Sequence, residues 1–311
     1  MTREVEQKMV EYTFHCAEIR GKAESKAIPE ARLQAFVALV GRIRAEILPH
    51  SVIQNNAYTK WFMTGAPDRR EVEHFLRQFS VFSNLFLEAQ LKKVINAPTL
   101  EAMRASKEIL LNELGVVFRN RQSQSQSPVK PESPVKAESQ SSDVDDALVE
   151  QEGSVEGGTF RFAAAHFEWL LRMTGHLGLG FGDVGKRRHG TPSTLYFCDE
   201  LARLYGSEDP HTALGASFAV ENWAAAGFWK ELIAGLRIFK ARECPDLPLS
   251  FFLWHDRVED QHAAHTWAEL EEEFFAMDLD QEKFIAGGRA MLDGVAAFWH
   301  GLDQDRHQAS R

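Results

Sequence analysis

Apolar residues return at intervals of three and four along most of this chain, the period of helices that bury one face. The pattern covers Leu33 to Ile47, Val72 to Val94, Leu100 to Phe118, Phe160 to Leu179, Ala213 to Phe239, Leu249 to Phe275 and Phe284 to Phe298. Strict alternation, the mark of a half-buried strand, is nearly absent. Helix-breaking residues fall between the periodic runs, at Thr64-Gly65-Ala66-Pro67, Asn96-Ala97-Pro98, Gly182 to Gly190, Asp209-Pro210 and Cys244-Pro245. The pattern predicts an all-α bundle of roughly eight or nine helices.

One stretch breaks the rhythm. From Arg121 to about Gly158 the chain is rich in Ser, Gln, Glu, Lys and Pro, almost lacks aromatic residues, and repeats SPVK at Ser127 to Lys130 and Ser133 to Lys136. Such a composition cannot bury enough apolar surface to offset the entropy of ordering, so the segment is expected to be disordered. The helices on its two sides look like parts of one bundle. The expected organisation is therefore residues 1–121 as N-terminal helices and the first part of the bundle, 122–158 as a disordered insertion, and 159–311 as the remainder of the same bundle. Loop-closure entropy grows slowly with length, so a long insertion need not weaken the fold.

Composition narrows the function classes. A chain of 311 residues with 44% hydrophobic content can bury a sizeable core, and its formal net charge of -10 leaves no basic face for nucleic acid. It has neither an N-terminal signal pattern nor an apolar run long enough for a membrane span, which points to the cytoplasm. Cys16, Cys198 and Cys244 are widely spaced and form no CxxC, so a disulfide framework, a Cys-based zinc site and an iron–sulfur cluster are not expected.

The chemistry is concentrated in Phe251 to His265, FFLWHDRVEDQHAAH. At about 100° per residue, His255, Glu259 and His262 fall within about a 60° arc of one helix face. Two imidazoles and a carboxylate on one face suit a metal ion, although a single such helix is more often a solvated face. Further acids raise the case. Glu113, in KEILLNELGVVF, has Leu110 and Val117 on its own face; Glu221 lies among Phe218, Ala224, Ala225 and Phe228. Buried acids without partners are costly, so two of them on separate helices suggest a carboxylate-rich site for a pair of ions. His166 is a further candidate, with Phe162 and Leu170 on its face, and taken alone it reads more readily as a satisfied core histidine.

At these residues the chain resembles the haem-oxygenase-like di-iron oxidases and oxygenases, also called iron-containing redox enzymes. That family pairs a Glu with a His seven residues on, adds a lone Glu on a later helix, and ends on a helix with His, three residues, Asp, two residues, His. His255, Glu259 and His262 match the last helix, with Glu in place of the usual Asp and Asp260 beside it. Glu221 matches the lone Glu, and ASKEILLNELG matches the approach to Glu113. Asn120 stands where the partner His would fall, and HFEWLLRMTGHLGL resumes the pattern beyond the insertion with His166 in the ligand place. The resemblance runs from about Thr64 to Trp267, with 55 positions from His166 to Glu221 and 34 from Glu221 to His255.

The resemblance implies a compact haem-oxygenase-like bundle that holds two iron ions, or manganese, on Glu113, His166, Glu221, His255, Glu259 and His262. It implies an O2-dependent oxidoreductase with an external electron donor and a small organic substrate, an amino acid, amine or fatty acid, in a pocket made by residues such as Phe218, Trp223, Phe252 and Trp254. No nucleic acid or membrane enters this reading, and a homodimer is compatible with it. The cationic run Gly185 to Gly190 is either a substrate-carboxylate site or a solvated loop. A ferritin-like bundle, with Glu71/His74 and Glu259/His262 as its ExxH pairs, has the wrong chain order and leaves His255 idle. Three other readings remain: a metal-free small-molecule-processing relative, a haem-binding relative, and a non-catalytic interaction protein using the SPVK repeats.

Overall fold

The computed structural model describes residues 12–118, 151–155, 158–162 and 165–309. In chain order the helices are α1 (Ala17–Glu24), α2 (Glu30–Glu46), α3 (Ser51–Gln54), α4 (Ala57–Thr64), α5 (Arg69–Ile95) and α6 (Leu100–Glu113). After three short strands come α7 (His166–Gly175), α8 (Pro192–Leu204), α9 (Pro210–Ala224), α10 (Phe228–Glu243), α11 (Ser250–Ala276) and α12 (Gln281–Ala309). The chain is thus a helical bundle, as its periodicity predicts.

Local chemistry sets the helix starts. Asp68 and Glu71 form a capping box at the head of α5, Thr191 caps α8 ahead of Pro192, and Asp209 caps α9 ahead of Pro210. These side chains accept from N–H groups that would otherwise lack partners. α5 is the central element. Its Phe75 and Phe79 stack with Phe252 of α11 and Trp299 of α12 in one aromatic core. α9 and α12 cross at very short range, because Gly215, Gly287 and Gly288 present no side chain at the contact.

Two periodic runs prove to be composite. The run Ala213 to Phe239 breaks at Gly227, whose φ of 92° no β-carbon tolerates easily, and becomes α9 and α10. The runs ending at Phe118 and beginning at Phe160 are helical only in part. Gly115, at φ 69°, stops α6, and the chain enters β1 (Val116–Phe118). β1 pairs antiparallel with β3 (Gly158–Phe162), which also pairs with β2 (Gln151–Val155), giving the order β1-β3-β2. Val117 therefore does not share a helix face with Glu113. VVF and TFRF were too short to show period-two alternation.

β2 falls inside the segment whose composition suggests disorder, so any excision should stop short of it. Replacing residues 122–150 with a short Gly/Ser linker is expected to preserve one cooperative melting transition, since β1, β3 and β2 keep their pairing. Loss of that transition in thermal denaturation followed by circular dichroism would show that the segment supports the bundle.

Candidate metal centre

The small sheet is what assembles the candidate ligands. Val116 is paired with Phe162, so the end of α6 and the start of α7 are held side by side although far apart in sequence. Glu113, the last residue of α6, and His166, the first of α7, consequently meet: His166 Nδ1 lies 2.9 Å from Glu113 Oε2. Yet the buried Nδ1 has no aligned hydrogen-bond partner. The two polar atoms are within ion-pair distance of each other, and both are of types that can ligate a metal ion.

His255 joins them from α11. Its ring centroid is 5.0 Å from that of His166, and it is walled by Trp229 at 4.8 Å, Phe251 at 4.2 Å and Trp254 at 5.1 Å. His255 Nδ1 is 2.7 Å from the Phe251 carbonyl. A carbonyl can only accept, so Nδ1 donates this bond and Nε2 is the nitrogen on the far side of the ring. Glu221 comes from α9. One turn earlier Phe218 meets Trp267 of α11 edge-on at 4.7 Å, so α9 lies against the helix that carries His255.

Glu113, Glu221 and His255 all line one cavity of about 720 Å³. The side chains of Glu259, Asp260 and His262 lie outside the described residues, as does Asn120. Among the described residues, no three His, Cys, Asp or Glu side chains stand close enough together to hold an ion. The donor types are those that suit iron or manganese: a buried imidazole, a carboxylate oxygen 2.9 Å from it, and a second imidazole whose ring centroid is 5.0 Å from the first.

The cavity differs in part from the expected one. Trp223 and Trp254 line it, but Phe218 and Phe252 are fully buried core residues. Its aromatic wall is instead Phe79, Phe82, Phe86, Trp229 and Phe251. The cationic loop is held elsewhere: Arg187 forms a paired contact with Asp199, Arg188 donates to the Gly182 carbonyl, and Lys186 sits over the Phe181 ring. Glu71 is occupied at the head of α5 and His74 pairs with Asp305, so neither offers the second pair that a ferritin-like site needs.

Sequence reasoning missed the polar end of the cavity, where Gln90, Lys93, Tyr205, Ser217, Glu269, Glu272 and Glu273 lie. The signal was present in α5, whose apolar stripe Phe79, Phe82, Phe86 continues at helical spacing into Gln90 and Lys93. Burial alone would pull the Lys93 ammonium down, but the nearby Tyr205, Glu269 and Glu221 outweigh it and hold the group above the usual lysine range. Burial, with Glu269 and Glu272 beside it, pushes Glu273 up. Among the described residues the cavity lining thus holds the carboxyl groups of Glu113, Glu221, Glu269, Glu272 and Glu273 and one ammonium, Lys93.

No protein-family model matches the chain, and no curated protein matches it in sequence. Solved structures do match in shape. A domain of unknown function with a haem oxygenase-like fold from Shewanella denitrificans OS217 superposes with a TM-score of 0.53 at 13% identity, over 84% of this chain and 89% of that one. A CADD-like protein of unknown function from Nostoc punctiforme PCC 73102 does so with a TM-score of 0.53 at 16% identity, over 88% of this chain and 98% of that one. The chain therefore has the haem-oxygenase-like fold. Among the described residues no helix is long and apolar enough to cross a membrane.

Proposed function

We propose that this chain is a non-haem di-iron oxidase or oxygenase acting on a small organic substrate. The observation that carries the reading is the approach of the buried His166 Nδ1 to Glu113 at 2.9 Å, with the His255 ring next to His166 and an aromatic-lined cavity beside them. Glu113, His166, Glu221, His255, Glu259 and His262 would hold the ions, iron or alternatively manganese. Imidazole and carboxylate donors suit both metals. Bound ferrous ions would supply electrons to O2, with an external donor restoring them.

The chain's own residues do the rest. The Phe251 carbonyl orients His255 through Nδ1, and Trp229 and Phe251 clamp the ring so that Nε2 has one direction. Trp169 and Trp254 cover His166 at 5.3 and 4.6 Å and keep water from its ring. Phe79, Phe82 and Phe86 give the substrate an apolar bed, so its reacting carbon or nitrogen is held away from bulk solvent.

Anaerobic titration with Fe(II) tests this reading. The purified chain is expected to bind about two ions and then to consume O2 in an iron-dependent step. Failure to hold stoichiometric iron would exclude it, and a Soret band would point to haem binding instead.

A further inference from the structure

The cavity has two chemically different ends. Its aromatic stripe on α5 runs from Phe79, whose ring meets Phe251 and Trp229, to Lys93, a length of about 20 Å along the helix. At the Lys93 end, Lys93 Nζ donates to Ser217 Oγ at 3.0 Å and lies 3.5 Å from Tyr205 Oη, which also accepts from Gln90 Nε2 at 3.0 Å. Both hydroxyl oxygens are thus used as acceptors. Their own protons, and the third proton of the ammonium, have no acceptor among the described residues.

We propose that Lys93, Ser217 and Tyr205 form an anchor for a carboxylate group of the substrate, set apart from the candidate metal ligands. Three donors converge on one corner of the cavity, where its aromatic wall gives way to polar side chains. Tyr205 is fully buried, Ser217 nearly so, and burial keeps the Tyr205 phenol protonated and able to donate. Among the described residues no carboxylate stands within ion-pair distance of Nζ, although Glu221 and Glu269 lie near enough to act on its charge. As the protein alone makes it, the corner is therefore short of acceptors for its hydroxyl and ammonium protons. A carboxylate supplies the acceptors with charge-assisted bonds.

The position gives the anchor a purpose. Ser217 precedes Glu221 by one turn of α9, about 6 Å. A substrate acid group seated here would direct its apolar body along the Phe86, Phe82 and Trp223 wall, with its reactive part beyond Glu221 toward the ligand cluster. This rests on reading the cavity as the substrate site, and it does not depend on iron.

Three isosteric probes test it: 4-phenylbutanoate, 4-phenylbutanol and 4-phenylbutylamine, titrated into the purified full chain with and without prior chelation. Quenching of tryptophan fluorescence reads binding, because Trp223, Trp229 and Trp254 line the cavity. The carboxylate is expected to bind at least tenfold more tightly than the alcohol, and the amine most weakly. Lys93→Met should remove that preference, and Ser217→Ala should reduce it. Absence of saturable carboxylate binding, a preference for the amine or alcohol, or an unchanged carboxylate preference in the folded variants would overturn the proposal. Because the chelated protein is measured too, failure of iron binding and failure of the anchor give different results.

Discussion

His166→Ala is expected to reduce iron binding from about two ions per chain to one or fewer, and to slow iron-dependent O2 consumption by a factor of about 100 or more. The substitution removes the buried nitrogen that faces Glu113 at 2.9 Å without an aligned hydrogen bond. If that nitrogen binds metal, Fe(II) should raise the melting temperature of the wild-type chain, since a ligand that binds only the folded state stabilises it, and should raise that of the variant much less. His176→Ala, at the exposed far end of the same helix, is the control and should leave iron content unchanged. Glu221→Ala is expected to lose the second ion first, because it removes an anion from a low-dielectric site. A purely structural His166 would give another pattern: lower stability without iron and the same iron stoichiometry. Metal analysis beside thermal denaturation separates the two.

Gly215→Ala should be among the most destabilising single substitutions, costing about 3 kcal/mol and lowering the melting temperature by about 5 °C or more. A β-carbon at Gly215 would stand 2.0 Å from the Phe284 carbonyl oxygen and 2.8 Å from its carbonyl carbon. Both are backbone atoms of α12, so no rotamer change relieves the clash and the helices must separate. The same separation would move Ser217 and Glu221, which lie on α9 within two turns of Gly215. Gly41→Ala, in the middle of α2 with open space at its β-carbon, should have the opposite sign and stabilise by about 0.5–1 kcal/mol. Urea unfolding of the two variants checks both signs. Equal, small effects would mean that the α9–α12 crossing is looser than described.

Which parts of this molecule the sequence discloses follows from the range of the interactions involved. Helix period is local, as the side chains that share a face are three and four residues apart, and so α2, α5, α11 and α12 are legible from spacing alone. Capping is equally local, and Asp209-Pro210 marks the start of α9 without any tertiary information. The acids that interrupt apolar faces could be picked out for the same reason. Glu113 and Glu221 do line a cavity, although the helix face assumed for Glu113 does not continue past Gly115.

What the sequence could not disclose depends on pairs distant along the chain. The contact of Glu113 with His166 is made by β1 and β3, two strands of 3 and 5 residues whose partners are set by each other and not by their own pattern. The polar corner around Lys93 draws on α5, the end of α8 and α9; Gln90 and Lys93 stand out on the stripe of α5, but nothing local brings Tyr205 and Ser217 to them. By itself, then, the sequence determined that the chain is a helical bundle and which residue types could bind metal, because helical periodicity and buried charge are properties of short segments. Only the tertiary structure decided which of those residues meet, and that the cavity between them ends in a cluster of unmet donors, because close approach of distant segments is fixed by packing rather than by local pattern.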